Sequence, residues 1–422
     1  MNNSNINFHA GSAIERPPKR SARVAIIMIL PFTENDYPKF DIPDLLEGGA
    51  AIDVIDLSAY IFPDNDFKPH HGLLPKGISH HLISTDQELR DVCNILARVD
   101  LIICTATSGH LSRNNLDIMR LVSQASAPYM IIYRNPVPVI DRDHFRASFN
   151  QRIQLFDLRN SILNRAPLGL LGVRPADYIV YGGDASAISM RLVSDRTTEI
   201  WSYAESYEHY RKEIAANPCL PTNTTAVFLD QNIGFHPDIS EHDFAAPIDP
   251  EMIYPSLRSW FDLVEEKTGL RVVIAAHPRA DYEANSDIFG DREIHYGETA
   301  KLVHASSLVM TFYSTAVNLG VIFGKPISIL YVPELKKMGM GDAPGAMAAT
   351  IGTSAIDLRQ LDSLSWPEIM NFDSEGYRWF IERYIRSERS NDKNIADIVI
   401  DLCHTQTTAN SDMLSNAGEQ PL

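Results

Sequence analysis

The sequence is short of basic charge: 37 Lys and Arg stand against 54 Asp and Glu, a formal net charge of −17. That balance argues against broad binding to nucleic acid or to an anionic membrane surface, because both attract basic patches. An anionic ligand must therefore be met by local donors. Cysteine is scarce as well. Cys93, Cys104, Cys219 and Cys403 form no Cys-x-x-Cys spacing, and they read as buried free thiols in a reducing cytoplasm, neither a disulfide frame nor a zinc site. Long apolar runs are missing: Val24 to Leu30 falls far below the ~18 residues that span a bilayer. The polar start, residues 1–21, has no small-residue cleavage site and reads as a disordered lead, and residues 405–422 as a mobile tail.

What is present is enough apolar residue, 45 % of 422, for sizeable cores in roughly two to three domains. Arg23 to Leu30 is a continuous β-branched run of the kind buried on both faces of a parallel sheet. Ala51 to Leu57, Asp100 to Thr105, Tyr129 to Tyr133 and Asp177 to Tyr181 read as further strands. Helices are expected over Asp86 to Arg98, Asn114 to Ala125 and Phe145 to Leu163. This alternation implies a doubly wound α/β domain over residues 22–216. Residues 60–84, rich in Pro, Gly and His, read as a long loop. The pairs His70-His71 and His80-His81 invite a metal reading, but adjacent residues point different ways and no carboxylate lies at ligand spacing.

The prolines of Asn217 to Asn223 mark a linker, after which a second alternating unit covers residues 217–372. Its centre is Arg271 to Tyr331, where two strands end in polar turns, His277-Pro278-Arg279 and Phe312-Tyr313-Ser314-Thr315, on what read as adjacent strand exits. In an open parallel sheet such exits are where ligands bind. His277 could donate a ring N–H to a phosphate, and Arg279 could make a forked contact. Ser314 and Thr315 would add two hydroxyls and the free N–H groups of a helix N-terminus, unless they only cap that helix. Upstream, Asp230 ends the strand Thr225 to Leu229. It could serve as nucleophile or base, or simply cap a loop, and Gln231 and Asn232 could orient sugar hydroxyls. On the first domain, the turns at Ser108 and at Arg134 could meet an acceptor. Glu205 and Asp157 fit either an acceptor-side base or the surface. Residues 373–404 read as helices that cross back to the first domain.

The pairing of His277-Pro278 with Ser314-Thr315, and the run LDQNIGFHPD that begins at Leu229, resemble bacterial glycosyltransferases that use CMP-activated acidic sugars. They are most similar to the retaining β-Kdo transferases of capsule and O-antigen assembly. The resemblance covers about Thr225 to Leu330. It implies the GT-B fold, two Rossmann-like domains with a C-terminal helical crossover, and transfer of Kdo from CMP-Kdo to a bacterial surface glycan. It further implies that His277, Ser314 and Thr315 hold the CMP phosphate and that Asp230 attacks the anomeric carbon. No metal is required, which agrees with the lack of an Asp-x-Asp pattern near the second-domain site. The expected setting is the cytoplasm or the inner face of the inner membrane, and the chain also suits one module of a larger glycosyltransferase. An inverting sialyltransferase-like enzyme and a non-catalytic two-lobed sugar-binding protein are the other readings.

Overall fold

The computed structural model describes residues 21–63, 74–107, 109–112, 115–138, 163, 165–219, 224–233, 249–282, 287–338 and 341–416. Ser108, Asp157, His70, His71, most of the expected helix from Phe145, and the run after Ile233 lie outside them.

Two parallel sheets dominate. The first contains β1 (Arg23–Met28), β2 (Ala51–Asp56), β3 (Ile78–Leu82), β4 (Leu101–Cys104), β5 (Tyr129–Tyr133), β6 (Tyr178–Tyr181) and β7 (Thr198–Trp201), in the order β3-β2-β1-β4-β5-β6-β7. The second contains β8 (Thr225–Leu229), β9 (Arg271–Ala275), β10 (Ile294–His295), β11 (Ser306–Thr311), β12 (Ile327–Tyr331) and β13 (Ile356–Asp357), in the order β10-β9-β8-β11-β12-β13. β1 shows why the apolar runs are continuous: Ala25 and Ile27 enter one core while Val24, Ile26 and Met28 enter the other. Period-2 geometry sends successive side chains to opposite faces, and here both faces are covered.

Four expectations change. Residues 60–84 are not all loop, because Ile78–Leu82 forms edge strand β3, paired in parallel with β2. Its polar sequence hid it, since its histidines are satisfied by carboxylates from the neighbouring strand. Likewise β7 falls where no strand is expected, being short and polar on its outer half. Of the cysteines only Cys104 and Cys403 are buried, while Cys93 and Cys219 are exposed. The C-terminal helix runs Ile395–Asn416, well into the expected tail.

That helix begins on the first domain. Ile395, Ala396, Ile398, Val399 and Cys403 sit in the same core as Val24, Ile26 and Val54, and Ile395 N donates to Asp41 Oδ2 at 2.9 Å. Before it, a π-helical turn, Ile381–Ile385, passes against the loop after β6. A Cβ on Gly183 would lie 2.5 Å from the Arg383 backbone, so only glycine fits. Ser387 and Arg389 then fasten to Asp184 at 2.7 and 2.9 Å. The two halves also touch across the cleft: Asn35 Nδ2 donates to Pro278 O at 3.1 Å, and the Tyr313 hydroxyl to Pro138 O at 3.1 Å.

Candidate active site

The second sheet changes direction at β8: the chain goes outward to β9 on one side and returns to β11 on the other. Crevices at such switch points are where open α/β sheets bind ligands. The exits of β9 and β11, expected to adjoin, are instead separated by β8, which puts them about 10 Å apart at two strand spacings. Asp230, Gln231 and Asn232 occupy the gap.

Asp230 ties β8 to β9. Its Oδ2 accepts from the His277 backbone N–H at 3.1 Å and from the Tyr282 hydroxyl at 2.7 Å, and its Oδ1 accepts from Asn232 N at 2.9 Å. The residue is only 6 % exposed. Burial raises its pKa, and the hydrogen bonds from Tyr282, Asn232 and His277 offset that in part. Burial beside this carboxylate raises the Tyr282 phenol in turn. A carboxylate so enclosed fixes the His-Pro turn first of all, and a nucleophilic role would need some of these bonds to open.

Gln231 ties β8 to β11. Its amide oxygen accepts from Tyr313 N at 2.5 Å and its amide nitrogen donates to Tyr313 O. The clamp uses one amide hydrogen and one lone pair of Gln231, so it fixes the side chain between the two strands. Asn232 is turned inward: it is 2 % exposed, adopts φ +53°, and meets the Tyr282 hydroxyl at 3.3 Å through Oδ1. Asn tolerates this left-handed backbone better than most residues. Tyr282 packs edge-on against Phe289, which meets Phe228 and Tyr254, so the site stands on an aromatic floor.

His277 is half-buried, and its Nδ1 accepts from Arg279 N at 3.2 Å. This bond selects the tautomer with the proton on Nε2, a hydrogen-bond donor. Ser314 is half-buried and Thr315 exposed. The helix after them, Val317–Ile322, is short, and its first N–H groups are engaged: Ala316 N with Ser314 Oγ at 3.2 Å, Val317 N with Ser314 O at 3.1 Å, and Asn318 N with Thr315 O at 3.2 Å. The free helix N-terminus expected here is therefore not available, and the hydroxyls remain as the polar groups.

Arg134 does not face an acceptor. It is 2 % exposed, donates from Nη2 to Lys39 O at 2.8 Å, and lies in the field of buried Asp41 and half-buried Glu205. Glu205 is engaged with His209 at 3.6 Å and with Asn135. Burial alone would raise its pKa, but His209 and Arg134 bring it below the ordinary value. Sequence reasoning missed Tyr282 and Asn35, and no local pattern announces either one. No group of three or more metal-ligating side chains occurs among the described residues, and none of their helices is long and apolar enough to cross a membrane.

Two parallel doubly wound domains facing each other across a cleft, with a C-terminal helix returned to the first, define the GT-B glycosyltransferase fold. No protein-family model matches the chain, and no curated protein matches it. Solved structures do. The wall teichoic acid polymerase TagF superimposes with a TM-score of 0.52 at 11 % identity, over 92 % of this chain and 89 % of that one. A histidine-substituted variant of TagF gives 0.53 at 11 %, over 92 % and 90 %. The calicheamicin glycosyltransferase CalG4 gives a TM-score of 0.44 at 10 % identity, over 96 % and 100 %.

Proposed function

We propose that the chain is a glycosyltransferase that moves Kdo from CMP-Kdo to a bacterial surface glycan, O-antigen or capsule, in the cytoplasm or at the inner face of the inner membrane. The observation that carries this reading is His277, locked by its own turn as an Nε2–H donor at the exit of β9, with the Ser314 hydroxyl beyond β8 on the other side. A phosphate accepting bonds of ~2.8 Å on two of its oxygens spans roughly 8 Å between donors, comparable with that gap. Two neutral donors suit a monoanionic phosphodiester in so acidic a protein, and they stabilise the leaving phosphate as charge develops on it. A TagF-like fold, in a polymerase of wall teichoic acid, is consistent with a cell-surface polymer as acceptor.

Titration calorimetry with CMP tests the reading. Wild type is expected to bind, and His277→Ala to bind at least tenfold more weakly; a wild-type protein indifferent to CMP would sink it.

The resemblance points to retention, with Asp230 forming a glycosyl-enzyme intermediate before the acceptor attacks. One observation favours a second reading, direct displacement with inversion: the Asp230 carboxylate is buried and already accepts from His277, Tyr282 and Asn232. In that case Asp230 is a positioning residue. Intact-mass analysis with CMP-Kdo separates the two, since only retention gives a Kdo adduct that disappears in Asp230→Ala.

A further inference from the structure

β3 carries two adjacent histidines, each held by an aspartate of β2. His81 Nε2 meets Asp53 Oδ1 at 3.0 Å on one face, and His80 Nε2 meets Asp56 Oδ2 at 3.1 Å on the other. The two pairs differ in place and wiring. Asp53 lies mid-strand and also pairs with Arg23 at 2.8 Å. Asp56 is the last residue of β2, at the carboxyl edge of the sheet that faces the cleft, and it is built as a hub. It accepts from Phe32 N at 3.0 Å, from Ser58 N at 3.0 Å and from Ser58 Oγ at 2.6 Å, besides His80.

Those bonds tie the His80 pair to the segment that reaches the donor half across the cleft. Phe32, bonded to Asp56 and 5.8 Å from the His80 ring, is three residues before Asn35, which reaches across the cleft to Pro278. Three residues of chain span at most ~11 Å. An anionic carboxylate on Nε2 selects the His80 tautomer whose Nδ1 carries the lone pair, and Nδ1 has no partner among the described residues. The ring keeps 15 % of its side-chain surface open.

We propose that His80 is the general base for the acceptor hydroxyl, held in register by Asp56, so that the two half-sites carry histidines of opposite tautomer: a donor at His277 and an acceptor at His80. This rests on the glycosyltransferase reading. As the acceptor oxygen bonds to the anomeric carbon, its proton passes to His80 Nδ1. The bond that breaks is the one to the CMP phosphate or, after a covalent step, the ester to Asp230, and the departing oxygen keeps the electron pair.

The test is the rate of CMP release from CMP-Kdo, with water or added glycerol as the attacking hydroxyl, alongside CMP affinity by calorimetry. His80→Gln keeps a donor for Asp56 but lacks the basic lone pair, and it is expected to lower the rate about 100-fold with CMP affinity within twofold. Imidazole in the buffer is expected to restore part of the rate of His80→Ala, which no structural strap would show. His81→Gln, the neighbouring pair on the other face, should leave the rate unchanged. A wild-type rate in His80→Gln overturns the proposal while leaving the donor reading intact. So does an equal loss in His80→Gln and His81→Gln without imidazole rescue. Failure of wild type to bind CMP removes both.

Discussion

At the scale of single residues, Asp230 decides how the site is held. Asp230→Ala removes the carboxylate that accepts from the His277 N–H and leaves the Tyr282 hydroxyl only its longer contact with Asn232 Oδ1, and losing such an acceptor costs about 1–3 kcal/mol. The expected outcome is a urea midpoint lowered accordingly, together with weaker CMP binding. Tyr282→Phe removes one donor only, so its loss should be about 1 kcal/mol. The sign with pH follows from burial. The Asp230 pKa is raised, so its contribution to stability is full below the ordinary value of ~3.9 and is lost as pH rises through the folded value. Asp230→Asn should flatten that part of the curve in denaturation at successive pH values. The positions of Asp230, His277 and Ser314 just beyond strand ends were legible because polar residues ending apolar runs stand out. What Asp230 holds was not, since its partner Tyr282 is 52 positions away.

Among elements, strands β8, β9 and β11 were readable within about a residue at each end, because burial on both faces demands unbroken apolar runs. β3 was not, since its alternation is carried by histidines whose partners belong to another strand. The order of the exits was equally hidden: nothing local says that β8 lies between β9 and β11, and the Gln231–Tyr313 clamp joins residues 82 apart. Cutting that clamp with Gln231→Ala frees the turn that carries Ser314, so CMP affinity is expected to fall several-fold while thermal unfolding moves little. The β2–β3 pairing has its own pH signature. Burial alone would raise the Asp56 pKa, but bonds from His80, Ser58 and Phe32 bring it below the ordinary value. Its contribution is therefore present above pH ~3.9 and lost as pH falls through the folded value, the reverse of Asp230. Denaturation at pH 3 and pH 7 should show Asp56→Asn costing stability mainly at the higher pH.

For the whole molecule, the two sheets are joined by more than the chain between them. Asn35–Pro278 and Tyr313–Pro138 bridge the cleft, and the π-helical turn is pinned to the loop after β6. Gly183→Ala places a methyl carbon against the Arg383 backbone, so the segment from Ile381 to Arg389 should lift. Hydrogen exchange is expected to quicken there and little elsewhere. The helix that follows seals the face of the first sheet formed by Val24, Ile26, Ile52 and Val54. In the order of synthesis this has an awkward result. The domain whose strands are made before the second one keeps an oily face open through the whole birth of that second domain. Its early strands are thus complete long before they are covered, and in that interval they are exposed to chaperones and to other nascent chains.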